Sequence, residues 1–366
     1  MNAAQRGSRK VSPRVLWTIT AAILAGAILI ALVAAEVATR LLQRAKHGTV
    51  ATIERQYTID PRLSLRVPIA NLRAGPIETN SLGFRGPEIR VPKPSGTVRI
   101  AFLGASTTWC AEVSGNDATW PSLVADDLRN RFGGADVDFV NGGVPGYTAR
   151  SSLKNLELRV APLEPDIIVI YHATNDMSAE LRALAAARGL TRQAQPEAPS
   201  WLASRFLLWD LAEKNWRIWL AQRKAEANVD RLEVDPALMG SQFRRDLTAL
   251  VLAAKAKSNA VALATFSTRL RAGQDDGERL KAAASALYYM PFMTPDGLLA
   301  SYARYNDLIR EVARDTGAIL IDGEHDIPGD DRHFTDSVHF TDDGSRAMAV
   351  SVANALAADP MIRSMF

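Results

Sequence analysis

The chain has 366 residues, 47% of them apolar and 23% charged, which excludes a disordered polymer and leaves room for one large or two ordinary domains. The formal net charge is +3, but the first 47 residues hold seven Lys or Arg against one Glu, leaving a net −3 on the remainder. A basic surplus confined to one end, with no basic patch interleaved with aromatics, points to a membrane surface and not to nucleic acid.

In chain order, residues 1–14 read as a short cytoplasmic tail carrying Arg6, Arg9, Lys10 and Arg14. Val15 to Ala35 follow, 21 positions without charge or proline, which is the length of a membrane-crossing helix. The apolar core of a cleaved signal peptide is shorter, about 7 to 15 residues, so an uncleaved anchor is the expectation. The positive-inside rule puts the N-terminus in the cytoplasm and everything after Glu36 outside, against the opposing charge of Arg40, Arg44 and Lys46. Residues 36–97 carry Pro61, Pro68, Pro76, Pro87 and Pro92 with no sustained period, and read as a juxtamembrane stalk or irregular lead-in. Within them, Thr79-Asn-Ser-Leu-Gly-Phe-Arg-Gly86 has the chemistry of a turn.

From Val98 onward, apolar strand-like runs alternate with helical patterns. Strands are expected at Val98–Leu103, Val137–Val140, Asp166–Tyr171, Ala260–Phe266 and Ala318–Ile321. Helices are expected at about Thr119–Arg131, Arg150–Val160, Pro236–Lys257, Tyr302–Thr316 and Asp343–Ala357. Five short strands separated by helices are the pattern of an α/β domain, a parallel sheet with helices on both faces, spanning about residues 98–358. Two stretches interrupt the alternation. Residues 177–235 hold Trp201, Trp209, Trp216 and Trp219, with Trp209, Ala212, Trp216 and Trp219 on one helical face; an inserted helical pair packed on the core, a lid, or a helix lying on the bilayer all fit. Gly273–Leu299, polar and then aromatic, is expected to be a loop near the site.

Chemistry concentrates at the strand ends. Ser106 stands just past Gly104 at the carboxyl end of the first strand, where open α/β sheets place their ligands. Near the C-terminus, Asp336-Ser-Val-His339 allows the carboxylate to fold back onto the imidazole Nδ1, leaving Nε2 as a base for a serine hydroxyl. Ser106, His339 and Asp336 are therefore the candidate catalytic triad. Acyl transfer also needs donors for the developing oxyanion: the Ser106 amide, the amide of Gly143 in Asn141-Gly-Gly-Val-Pro-Gly146, and the carboxamide of Asn175 in Ala173-Thr-Asn-Asp176. Cys110 reads as a packed residue and His172 as a neighbour packed beside the site. A histidine base predicts a rate that falls as pH drops through roughly 6 to 7.

In the order Gly104-Ala-Ser106, Asn141-Gly-Gly143, Ala173-Thr-Asn-Asp176 and Asp336-Ser-Val-His339, these blocks resemble the SGNH (GDSL-type) hydrolases. The lead-in Asn80–Gly86 is similar to the segment before the domain in membrane-anchored bacterial members. The resemblance covers Val98 to Ala357. It implies a three-layer α/β/α fold, a serine esterase mechanism without metal or other cofactor, an acyl-ester substrate, and functional positions at Ser106, Gly143, Asn175, Asp336 and His339. It places a single-pass protein in a bacterial inner membrane with its domain facing the periplasm. Two positions depart from the pattern. Ala105 replaces an Asp, removing a loop carboxylate, and Ala173 replaces a Gly, with a cost of about 1 kcal/mol if the position needs positive φ.

The expected function is hydrolysis of acyl or acetyl esters, on an envelope glycan or lipid. An O-acyltransferase acting on an envelope polysaccharide uses the same triad, and a non-catalytic envelope binding protein keeps the same fold. A metal site from His333, Asp336 and His339, with His325 and Asp326 nearby, lacks a diagnostic ligand spacing. A nucleotide site lacks the phosphate-binding Gly-x-x-x-x-Gly-Lys-Ser/Thr.

Overall fold

The computed structural model describes residues 12–47, 56–190, 200–226 and 231–366. Most of the expected cytoplasmic tail, and parts of the expected stalk and insertion, lie outside them. The first element, α1 (Pro13–His47), contains a span from Trp17 to Leu42 that is long and apolar enough to cross a membrane, with a mean hydropathy of 2.5 and an apolar stretch of which no residue is buried.

The lead-in is ordered, which corrects the stalk expectation for residues 56–97. It forms two antiparallel hairpins, β1 (Tyr57–Asp60) with β2 (Leu65–Pro68), and β3 (Arg73–Ala74) with β4 (Ile77–Glu78). The following turn is held by Asn80, whose Oδ1 accepts from the amides of Leu82 and Phe84 at 3.0 Å each, with Gly83 at φ +76°. This turn drives Arg85 into the body of the domain, where it is 1% exposed. Its guanidinium donates to the carbonyls of Trp109 (2.8 Å), Cys110, Pro76 (3.1 Å) and Gly115 (3.2 Å) and to Asn116 Oδ1 (2.8 Å). Short hairpins with few apolar residues leave no periodic signal, so this order was invisible without its long-range partner.

The body is built on β5 (Val98–Gly104), β6 (Val137–Asn141), β7 (Ile167–Tyr171), β8 (Ala260–Ala264) and β9 (Ile319–Ile321), all parallel in the order β6-β5-β7-β8-β9. Near-continuous apolar runs suit strands covered on both faces; every residue of β5, β7 and β8 is buried. One of them is Arg99, fully buried and paired in a fork with Asp138 at 2.7 Å on both arms, its remaining donors meeting the carbonyls of Leu163 and Arg90. Satisfying a buried guanidinium in this way removes the penalty of an unpaired charge.

Helices cover both faces. After β5 come the short α2 (Ser106–Trp109) and α3 (Trp120–Arg131); α4 (Ala149–Asn155) runs into a π-helical turn through Val160, and α5 (Thr174–Ala187) follows β7. The excursion continues through α6 (Leu207–Glu226) and returns with α7 (Ser241–Lys255). It starts later than residue 177, because Met177, Leu181 and Ala185 of α5 are buried in the core. Trp201, Trp209, Trp216 and Trp219 are 68%, 50%, 57% and 40% exposed, so their face does not pack on the core. The stretch expected to be a loop at Gly273–Leu299 is instead mainly α8 (Asp276–Tyr289) and the start of α9 (Pro295–Thr316). Asp275 caps α8 by accepting from the Glu278 amide at 2.9 Å, and the alanines that follow are strong helix formers that leave little hydrophobic periodicity. The chain closes with α10 (Asp342–Ala358) and α11 (Pro360–Arg363). α3 packs on α10 over one face, and α4, α7 and α9 form a contiguous layer over the other.

The strand order puts the first strand of the sheet, β5, between β6 and β7, so the chain leaves it in opposite directions and the crevice at the carboxyl ends of β5, β6 and β7 is the topological switch point where ligands of such sheets bind. Replacing Arg85 with Leu takes its guanidinium from five acceptors, of which only the Cys110 carbonyl and Asn116 Oδ1 keep another donor, the amides of Val113 and Glu78, and we expect a loss of about 3 kcal/mol or more, read as a lowered denaturation midpoint.

Candidate active site

Ser106 opens α2 directly after β5, at the end of a helix whose first N–H groups have no intrahelical acceptor. The turn is tight because backbone and side chains crowd it. A Cβ on Gly104 would lie 2.9 Å from the Tyr171 carbonyl and 2.8 Å from Thr108 Cβ, so glycine is required by close approach and not by a positive φ. Across the crevice, the loop after β6 presses on the same helix, and a Cβ on Gly143 would lie 2.7 Å from the Trp109 nitrogen and 2.9 Å from the Thr108 carbonyl carbon. Cys110, in the left-handed conformation at φ 58°, ends α2, and its burial pushes the thiol up to about 12.

The other half of the site comes from a hairpin-like loop in which Phe334 bridges Phe340 and the Thr335 amide donates to the His339 carbonyl at 2.9 Å. Asp336 Oδ1 accepts from the amides of Val338 and His339 at 2.9 Å each, a local turn that fixes the carboxylate. Asp336 Oδ2 then lies 2.8 Å from His339 Nδ1, and His339 Nε2 lies 2.8 Å from Ser106 Oγ. Ser114, on the loop after α2, donates through its amide (2.8 Å) and hydroxyl (2.6 Å) to Asp342 at the start of α10, joining the two halves.

Electrostatics favour a charged pair. Burial opposes ionisation of Asp336, yet the His339 imidazole and the two backbone amides hold the carboxyl down at about 2. Burial likewise disfavours the His339 cation, but the hydrogen bond it donates to Asp336 and the carboxylates of Glu112 and Asp336 outweigh it and raise the imidazole to about 9. Glu112, exposed on the loop after α2, had no motif to mark it in the sequence; only the fold puts its charge beside His339.

The candidate oxyanion donors differ in availability. The Ser106 amide sits at the start of α2; Asn175, at the start of α5, donates one Nδ2 proton to the Tyr147 carbonyl at 2.9 Å and keeps a second; the Gly143 amide donates to Asn141 Oδ1 at 3.1 Å. Their strands are adjacent, with Gly104 opposite Tyr171 and Phe102 opposite Asn141. Ala173 has φ −167°, extended backbone open to any residue, so the expected cost of replacing glycine there does not arise. Ala105 caps α2 with no side-chain bond, and behind it the Thr107 and Thr108 hydroxyls and Trp109 Nε1 are buried without partners. Asp176 accepts from the Ala149 amide at 3.1 Å, tying the loop after β7 to the glycine loop, and its burial raises the carboxyl to about 7.

A second serine–histidine pair exists, with Ser152 Oγ 2.7 Å from His172 Nε2. Both residues are buried, and burial depresses His172 to about 3, which keeps it neutral and structural. His333 is held by Asp330 at 2.7 Å, apart from the His339–Asp336 pair. Among the described residues no group of three or more His, Cys, Asp or Glu is arranged to hold a metal ion.

The GDSL-like lipase/acylhydrolase family model matches residues 102–347, about two thirds of the chain. No curated protein matches. Similar solved structures include a variant of Axe2, an acetyl-xylooligosaccharide esterase from Geobacillus stearothermophilus (14% identity, TM-score 0.45, 72% of this chain and 95% of that one). Another is LAE5, an alpha/beta hydrolase from the metagenome of Lake Arreo, Spain (17% identity, TM-score 0.42, 74% and 96%). Likenesses this distant carry no inference about substrate.

To serve as a general base His339 must be neutral, so in that role kcat/KM is expected to fall as pH drops through its pKa, and the raised pKa puts the fall at higher pH than the 6 to 7 expected from sequence. The acid limb of the kcat/KM profile should have its midpoint well above 7, and Glu112→Gln should shift it to lower pH by removing a charge that favours the imidazolium; a limb at 6 to 7, unmoved by the substitution, would contradict this electrostatic picture. The matched family covers the whole of this crevice, from β5 to α10: the chain belongs to the GDSL-like lipase/acylhydrolase family and is a carboxylic ester hydrolase.

Proposed function

We propose that this chain is a serine esterase, anchored in a bacterial inner membrane by α1, that hydrolyses acyl or acetyl esters of an envelope glycan or lipid on the periplasmic side. The observation that carries the reading is the unbroken relay from Ser106 Oγ through His339 to Asp336, with 2.8 Å at each step. In this mechanism Ser106 Oγ attacks the ester carbonyl while His339 Nε2 takes its proton, and Asp336 holds the Nδ1 proton and balances the imidazolium. The Ser106 amide, Asn175 Nδ2 and the Gly143 amide, the last shared with Asn141, stabilise the oxyanion. Collapse breaks the C–O bond as His339 returns the proton to the alcohol, leaving an acyl-enzyme. His339 then draws a proton from water, and the resulting attack releases the acid and restores Ser106. The candidate span in α1 and the basic residues before it support the anchor and its orientation.

Turnover of p-nitrophenyl acetate tests the roles. Ser106→Ala should abolish it to background, and Asn175→Ala should lower kcat by about 100- to 1,000-fold, the usual effect of removing one oxyanion donor. Full turnover in Ser106→Ala would overturn the assignment.

A further inference from the structure

Among the described side chains of helix α6 none is buried. Trp209, Ala212, Trp216, Trp219 and Arg223 recur at intervals of three and four, on one face of the helix, and all five are exposed. Such a stripe normally faces the interior of a protein or the headgroup region of a bilayer, where an indole keeps its apolar body among lipid and its N–H among polar groups. Trp216 and Trp219 stack at 4.8 Å, and the Arg223 guanidinium lies over Trp219 at 4.6 Å, so cationic and aromatic groups are interleaved along the stripe.

What covers this face is indicated by where α6 begins. Its first amides, Leu207 and Leu208, donate to the two carboxylate oxygens of Glu36 at 2.9 and 2.8 Å, and Arg40 of α1 donates to the Arg205 carbonyl at 3.0 Å. Glu36 is the first charge after the 21 uncharged residues of α1, which at 1.5 Å per residue span about 32 Å, the thickness of a hydrocarbon core. The N-terminus of α6 is therefore pinned to α1 at the level where that core ends. Phe206 and Trp201, 46% and 68% exposed, precede it in the chain. From there α6 packs along α8, and α8 grips the catalytic loop: the Ala286 amide donates to Ser337 Oγ at 3.1 Å, and Ser285 Oγ accepts from the Ser337 amide at 3.1 Å, between Asp336 and His339. Lys214 of α6 is near enough to His339 to oppose its protonation.

We propose that α6 is a membrane-interface helix, its tryptophan face seated in the headgroup region of the bilayer that α1 crosses. The helix holds the Ser106 crevice close to that surface, so that the substrate is an ester presented at the membrane. The proposal rests on the membrane-anchored reading above and adds a second contact, one that fixes the orientation of the domain instead of leaving it free on a tether.

Depth measurements by spin labelling test it in the full-length chain, reconstituted in vesicles of phosphatidylethanolamine and phosphatidylglycerol. In a Cys110→Ala background, nitroxides are placed singly through Ala212→Cys and Trp216→Cys on α6, through Ile28→Cys in α1, and through Val350→Cys on α10 as an aqueous reference. The labels on α6 should collide several-fold more with oxygen, relative to a water-soluble nickel chelate, than the label at 350, though less than the label at 28. Aqueous values at both α6 positions, with 28 embedded, would overturn the interface helix and leave the anchor intact. An aqueous value at 28 would remove the anchor and this proposal together. Shielding of 212 and 216 from both reagents, with spin–spin broadening at full labelling, would assign the face to a second copy of the chain and overturn the proposal.

Discussion

A 2.8 Å hydrogen bond joins Ser106 to His339 across 233 positions of sequence, and the domain is arranged so that its two ends meet. Neither end is held by its own segment alone. The serine end is fixed by crowding and by a buried cation: Gly104 and Gly143 let the strand end, the glycine loop and α2 approach within contact, and Arg85 gathers the carbonyls at the far end of α2. The histidine end is fixed locally by the turn that Asp336 makes with its own backbone and by the Ser337 contacts to α8. The Ser114–Asp342 hydrogen bonds then set the distance between the halves.

The same division explains what was legible in the sequence. The five strands were readable because a strand buried on both faces is a run of apolar residues bounded by turn residues, and their boundaries shifted by no more than two residues. Arg99 within β5 did not spoil that signal, since its partner Asp138 occupies the neighbouring strand. α8 was not readable, because a helix built on Ala282, Ala283 and Ala286 has propensity without amphipathic contrast. The lead-in was unreadable for another reason: its order depends on Arg85 reaching atoms 24 to 31 positions away. At the site, Asp336 and His339 are three residues apart and their pairing is a local turn, so spacing alone pointed to it. The influence of Glu112 on His339 and the engagement of the Gly143 amide by Asn141 are products of tertiary packing and leave no trace in spacing.

The contrast between the two serine–histidine pairs shows what a reactive arrangement requires beyond proximity. Ser152 and His172 are as close as Ser106 and His339, but the former pair is sealed in the core and burial alone governs the imidazole, which stays neutral and unable to accept a proton usefully. His339 has a carboxylate behind it, side-chain exposure of 20%, and a second acidic residue nearby, all of which favour the imidazolium formed when a hydroxyl gives up its proton.

Mass-spectrometric mapping of the adduct formed by a fluorophosphonate shows which serine is activated, because the reagent bonds to a serine whose hydroxyl is polarised by a neighbouring base. One adduct per chain is expected, on Ser106, within the tryptic peptide that begins at Ile100, and it should be lost in His339→Ala. An adduct on Ser152, or a folded protein that takes up no reagent, would contradict the assignment of Ser106.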